Sequence, residues 1–263
     1  MKMTGKISLL AAAALMILSG NDAFAQKKAK AQAEPEFKPL TDEEYEALAA
    51  TPPMGWNSWN KFGCNVSETL IKEMAEPHFR IQHHRHAIRT RERPDIKFRA
   101  TRGTVVGERR DKDGNIVCDP ERFPNGMKAV ADYVHSKGLK FGIHIMRGIP
   151  KIAVEQKTKV KGTDGITADM IYNEDRLCRW LGDNYSVDAS KPGAQEYYNS
   201  LFEQYAEWGL DFIKIDDLSA PYHQEEIELI RNAIDNCGRH IVLSTSPGKT
   251  PVENAEHVST HAN

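Results

Sequence analysis

Asp211-Phe212-Ile213-Lys214-Ile215-Asp216-Asp217 is the stretch on which the fold turns. It is an apolar run rich in β-branched and aromatic side chains, about the length of a buried parallel strand, and it stops at two carboxylates. Charge at the end of a buried strand is costly unless it is paired. Lys214 and Asp216 are two residues apart, so they share one face of an extended chain. A lysine beside an aspartate keeps the carboxylate ionised, and an ionised, positioned carboxylate can serve as a nucleophile. A second reading has the two aspartates capping the helix that follows.

Working outward, three more segments have strand character: Met54 to Trp59, Lys140 to Met146, and His240 to Ser244. Helices fall between them. Asn125 to Lys137 places Met127, Val130, Ala131 and Val134 on one face, and Gly138 stops it. Pro192 to Trp208 gathers Tyr198, Leu201, Phe202 and Tyr205, with Gly209 as its stop. Gln224 to Cys237 gathers Ile227, Ile230, Ile234 and Cys237 before Gly238. The repeated order of helix, glycine and strand is that of βα units. Polar residues at the strand ends (His144, Asp216, Asp217 and Ser244) predict an α/β fold of the (β/α)8 barrel type, whose chemistry sits at the C-terminal ends of its strands. A doubly wound open sheet is the alternative. It calls for a glycine-rich phosphate loop after the first strand, which the sequence does not show. Four strands, or five if one lies within 76–110, fall short of eight, so a partial barrel of the N-terminal five or so βα units is expected over 51–263.

Hydrophobic residues make up 40% of the 263 and charged residues 27%, with a formal net charge of −2. That is a globular balance, and the charge gives no reason to expect nucleic acid or an anionic membrane as partner. Residues 1–25 read as a signal peptide: Lys2 and Lys6, then an apolar stretch from Ile7 to Leu18, then Ala23-Phe24-Ala25 as a small-x-small cleavage site. The expected product is secreted or periplasmic, with no membrane span after cleavage. Residues 26–50 read as a polar leader. The four cysteines (Cys64, Cys118, Cys178 and Cys237) show no CxxC spacing, and their pairing stays open.

Residues 76–110 differ in chemistry from the rest. They hold nine arginines and four histidines, and ten basic against four acidic side chains give them +6. His83-His84-Arg85-His86 invites a metal reading and the arginines a nucleic-acid reading, yet no periodicity gathers these groups on one face. A solvated loop is one account. A compensated frameshift, with matching sequence resuming at Gly107-Glu108-Arg109, is another.

Several segments together resemble glycoside hydrolase family 27, the α-galactosidase (melibiase) family. These are Thr51-Pro52-Pro53-Met54-Gly55-Trp56-Asn57-Ser58-Trp59-Asn60 with Phe62-Gly63-Cys64, then Asp119 to Lys128 and Ala131 to Lys140, and Trp208 to Asp217. The resemblance implies a (β/α)8 glycosidase barrel, a retaining mechanism on terminal α-linked galactose, and no metal or organic cofactor. By motif position it implies Asp216 as nucleophile, Lys214 as a contact to sugar hydroxyls and Trp59 as an aromatic platform. His144 stands where the family usually has an aromatic, and Thr245 where many relatives carry a glutamate near the sugar's 2-position. The family's Asp-Asp pair, expected near 90–106, is absent, and its acid/base aspartate would follow Asn263. The expectation is therefore a crippled hydrolase, or a non-catalytic carbohydrate-binding remnant of the same fold. A metal held by Asp216, Asp217 and a histidine is the third reading.

Overall fold

The computed structural model describes residues 40–51, 53–63, 65–76, 110–174 and 182–263. The signal segment, the leader before residue 40, the basic segment 77–109, Cys64 and Cys178 lie outside the described residues. In chain order the helices are α1 (Asp42–Ala47), α2 (Trp59–Phe62), α3 (Glu68–Ala75), α4 (Gly126–Ser136), α5 (Lys151–Glu155), α6 (Ala194–Trp208), α7 (Gln224–Asn236) and α8 (Ala255–His261). The strands are β1 (Gly142–Met146), β2 (Ile149–Pro150), β3 (Tyr172–Asn173), β4 (Asn184–Val187), β5 (Phe212–Asp216) and β6 (Val242–Thr245).

β1, β5 and β6 form a parallel sheet in that spatial order. Helix α6 lies in the connection from β1 to β5, and α7 in the one from β5 to β6. The order advances in one direction without the reversal of a doubly wound sheet, and helix-bearing connections join parallel neighbours, as in a barrel wall. Successive helices pack on one another: α3 on α4, α4 on α6, α6 on α7, and α7 on α8. The chain thus has the fold of part of a (β/α)8 barrel.

β5 shows why the strand sequence reads as it does. Ile213 and Ile215 are wholly buried in the core, whereas Phe212, Lys214 and Asp216 keep partial exposure. Period-two alternation places the isoleucines on one face and the lysine and aspartate on the other. The helices supply the rest of the core with the expected faces. Met127, Val130, Ala131 and Val134 are buried in α4, and Leu201, Phe202 and Tyr205 in α6. Gly209 closes α6 at φ 84°, a left-handed conformation that costs glycine little and lets the chain turn into β5.

Several expectations are corrected. Met54 to Trp59 is no strand. Residues 53–57 have no regular structure, and the Trp59 N–H donates to Asn57 Oδ1 (2.9 Å), which starts α2. A strand needs a ladder partner, and among the described residues this segment has none; Met54 is 94% exposed. Residues 41–47, read as part of the polar leader, include α1, which opens with a reciprocal Thr41–Glu44 capping box. Tyr45 lies under the Arg231 guanidinium of α7, 4.9 Å from ring centre to Cζ. Asp217 does not cap α7, whose N-cap is His223 without a side-chain cap. The small antiparallel sheet β2–β4–β3, set between β1 and α6, has strands of two to four residues, too short for sequence periodicity to register.

Candidate active site

The site is built on the exposed face of the parallel sheet. Register puts His144 of β1, Lys214 of β5 and Ser244 of β6 in one row, and Met146 beside Asp216 in the next. Same-face neighbours one row apart are within reach of long side chains. His144 reaches across: its Nε2 lies 2.9 Å from Asp216 Oδ2. Lys214 Nζ lies 3.5 Å from Asp216 Oδ1. Trp59, at the start of α2, joins the group through His144, the two rings edge-on with centroids 5.8 Å apart. Trp59, His144, Lys214 and Asp216 therefore form one constellation.

The electrostatics follow from this packing. Burial pushes the Asp216 carboxyl pKa up. Hydrogen bonds from His144 and Ser246, with the electrostatic pull of His144 and Lys214, outweigh that and hold it at about 2 instead of 3.8. Asp216 is thus an anion throughout the neutral range. A cavity of about 190 Å³ runs beside it, with Trp59, His144, Met146 and Asp216 in its lining. Trp59 is 43% exposed, so an aromatic face is left for a ligand beside a carboxylate, an imidazole and an ammonium. Such a mix of one aromatic wall and a few convergent polar groups suits a polyhydroxylated ring.

Asp217 points the other way. Its carboxylate is buried and meets Arg147, 3.0 Å from Nε to Oδ2. The two adjacent aspartates therefore diverge, and they do not converge on a common metal. Among the described residues no three of His, Cys, Asp and Glu gather as a metal site.

Sequence reasoning missed Arg147, Ser186, Tyr198 and Glu226 as a group. Arg147 Nη1 donates to Ser186 Oγ (2.7 Å) and to Glu226 Oε2 (2.6 Å), and Tyr198 donates to Glu226 Oε1 (2.5 Å). All four side chains are buried. The available signal was Arg147 itself, a lone cation one residue beyond an apolar strand whose neighbour ends in two carboxylates. Ser246 was also missed, lying just past the β6 end that had been marked at Ser244.

His144, expected at a strand end, stands mid-strand in β1 opposite Lys214 of β5, and only Asp216 ends its strand; a carboxylate, a lysine, a histidine and a tryptophan gathered on one sheet face of a partial barrel suit an enzyme acting on a sugar ring. Comparison with known proteins agrees. The family model described as α-galactosidase A matches residues 51–153. α-Galactosidase A of Cellvibrio japonicus is 34% identical over 208 residues, covering 77% of this chain and 39% of that protein. The α-N-acetylgalactosaminidase of Gallus gallus is 31% identical, covering 76% and 42%. Among solved structures, a family 27 β-L-arabinopyranosidase from Geobacillus stearothermophilus, in complex with arabinose, superposes with a TM-score of 0.69 at 38% identity, covering 85% of this chain and 55% of that one. The chain is thus similar to glycoside hydrolase family 27, the α-galactosidase family, and spans about half or less of the length of these relatives. No described helix is long and apolar enough to cross a membrane.

Proposed function

We propose that the chain is the nucleophile-bearing part of an exported, retaining glycosidase that acts on terminal α-linked galactose. The observation that carries this reading is Asp216, an anion at the end of a barrel strand, held between His144 and Lys214 with Trp59 edge-on to His144. Two carboxyl groups share such a reaction. In the first step an Asp216 oxygen forms a bond to the anomeric carbon, and the bond from that carbon to the leaving oxygen breaks. The leaving oxygen takes a proton from the second carboxyl group. The product is a β-linked galactosyl ester on Asp216, which water then hydrolyses with a second inversion. Trp59 is the platform under the apolar face of the ring, and Lys214 and His144 donate to its hydroxyls. The relatives named above, acting on galactosides, N-acetylgalactosaminides and arabinopyranosides, support a ring of galactose configuration. Export rests on the Lys2 to Ala25 segment and is tested by the mature N-terminus, expected at Gln26.

The test uses a sugar that needs no acid. In 5-fluoro-α-D-galactosyl fluoride the ring fluorine slows the second step, and fluoride departs without a proton. Incubated with the whole chain, it is expected to add one fluorogalactosyl group to the peptide bearing Asp216, as read by mass spectrometry. Galactose that binds while Asp216 stays unlabelled would overturn this reading in favour of a carbohydrate-binding remnant.

A further inference from the structure

Asp217 follows the proposed nucleophile and sits at φ 67°. A left-handed backbone costs a residue with a Cβ about 1–2 kcal/mol, and it persists where the surroundings over-determine it. Here the surroundings are explicit. Arg147 Nε donates to the Asp217 carbonyl oxygen (2.7 Å) and to its Oδ2 (3.0 Å), and Nη2 lies 3.0 Å from the same Oδ2. The Arg147 backbone N–H donates to the Asp216 carbonyl oxygen (3.2 Å). From the other side, the Ser246 N–H donates to the Ile215 carbonyl oxygen (3.0 Å) and the Leu218 N–H to the Ser246 carbonyl oxygen (2.9 Å). The peptides on both sides of Asp216 are thus fixed by neighbouring strand ends.

We propose that Arg147 and Asp217 form a positioning clamp: the guanidinium holds Asp217 in its left-handed turn and thereby aims the Asp216 carboxylate into the sugar site. The clamp deepens the glycosidase reading and rests on it. Charge balance distinguishes it from a merely structural ion pair. Arg147 faces two buried carboxylates, Asp217 and Glu226, so Asp217 is not needed to neutralise it. Glu226 alone balances the arginine and keeps its hydrogen bonds to Tyr198 and Arg147.

Asp217→Gly separates the two roles. Glycine adopts a φ of 67° without cost, leaves the Arg147–Glu226 pair neutral, and removes the side-chain half of the clamp. Labelling of the whole chain by 5-fluoro-α-D-galactosyl fluoride gives a rate constant and a half-saturating concentration. Misplacement of a reacting group by about 1 Å can cost 10²-fold in rate, so the rate constant is expected to fall about tenfold or more while half-saturation stays put. Asp217→Asn, which tolerates the left-handed turn and still presents an oxygen to Arg147, is expected to recover most of the rate. Partial unfolding lowers the labelled endpoint but not the rate constant of the folded fraction. Asp217→Gly labelling at the unmodified rate constant overturns the clamp. If Asp217→Gly does not fold, the aspartate is structural, and the clamp is equally overturned. Failure of the unmodified chain to label at Asp216 is a different result, and it removes the nucleophile reading instead.

Discussion

His144 and Asp216 meet one row out of register. β1 pairs His144 with Lys214, yet the imidazole Nε2 reaches past its own row to Asp216 Oδ2 at 2.9 Å. The lysine, the histidine and the carboxylate therefore form a compact group on one face of the sheet, and the carboxylate's pKa reflects both neighbours.

The acid titration of Asp216 reports this contact. Its carboxyl sits at about 2, below the 3.8 of an ordinary aspartate. A depressed folded-state value means that the ionised group stabilises the fold fully above about pH 3.8, and that the contribution disappears as pH falls through about 2. In His144→Ala the hydrogen bond and the electrostatic pull are gone while burial remains. The Asp216 carboxyl is then expected to titrate at higher pH, which ¹³C-carboxyl NMR would show. An unmoved titration would mean that Lys214 and Ser246 alone set the value.

Asp216→Asn removes the anion and keeps the volume. Labelling by the fluorosugar is expected to fall by about a thousandfold or more, the scale seen when a nucleophile is deleted. Galactose binding, measured by calorimetry, is expected to persist, because Trp59 and Lys214 are untouched.

Much of this arrangement was legible in the sequence. The apolar run of β5, its terminal aspartate and the i, i+2 lysine carry their own geometry, because the pleat sorts alternate residues to opposite faces. The helix stops at Gly138, Gly209 and Gly238 were equally plain, each at positive φ in the structure. Met54 to Trp59 misled because strand propensity says nothing of a ladder partner. Asn57 could have warned of the turn, since its side chain accepts the Trp59 N–H. The Arg147 cluster stayed hidden because its members, at 147, 186, 198, 217 and 226, share no period. Only the packing of β1, β4, β5, α6 and α7 brings them together.

Arg147→Met leaves two buried carboxylates without their cation. Breaking a buried pair in this way costs about 3–5 kcal/mol. Urea unfolding is expected to show a loss of that size. Tyr198→Phe, which removes one hydrogen bond to Glu226, is expected to cost less, about 1–3 kcal/mol.

Gly148→Ala tests the turn that follows Arg147. At φ 86°, an added Cβ would stand 2.1 Å from the Tyr185 carbonyl oxygen, a backbone atom with no room to retreat. The left-handed backbone alone costs about 1–3 kcal/mol, and the clash adds to it. A melting temperature equal to that of the unmodified chain would show that β4 yields at Tyr185.

Arg147 has one further consequence, for how this sequence can change over time. Its guanidinium is shared among Asp217, Ser186 and Glu226, so losing any one partner alters what the others require. Residues that share a partner in this way have non-additive effects. Arg147 and Glu226 are therefore expected to be exchanged together or not at all, whereas Asp217 can change alone. A library randomising Arg147 and Glu226 together should yield folded combinations that neither single substitution reaches through a folded intermediate.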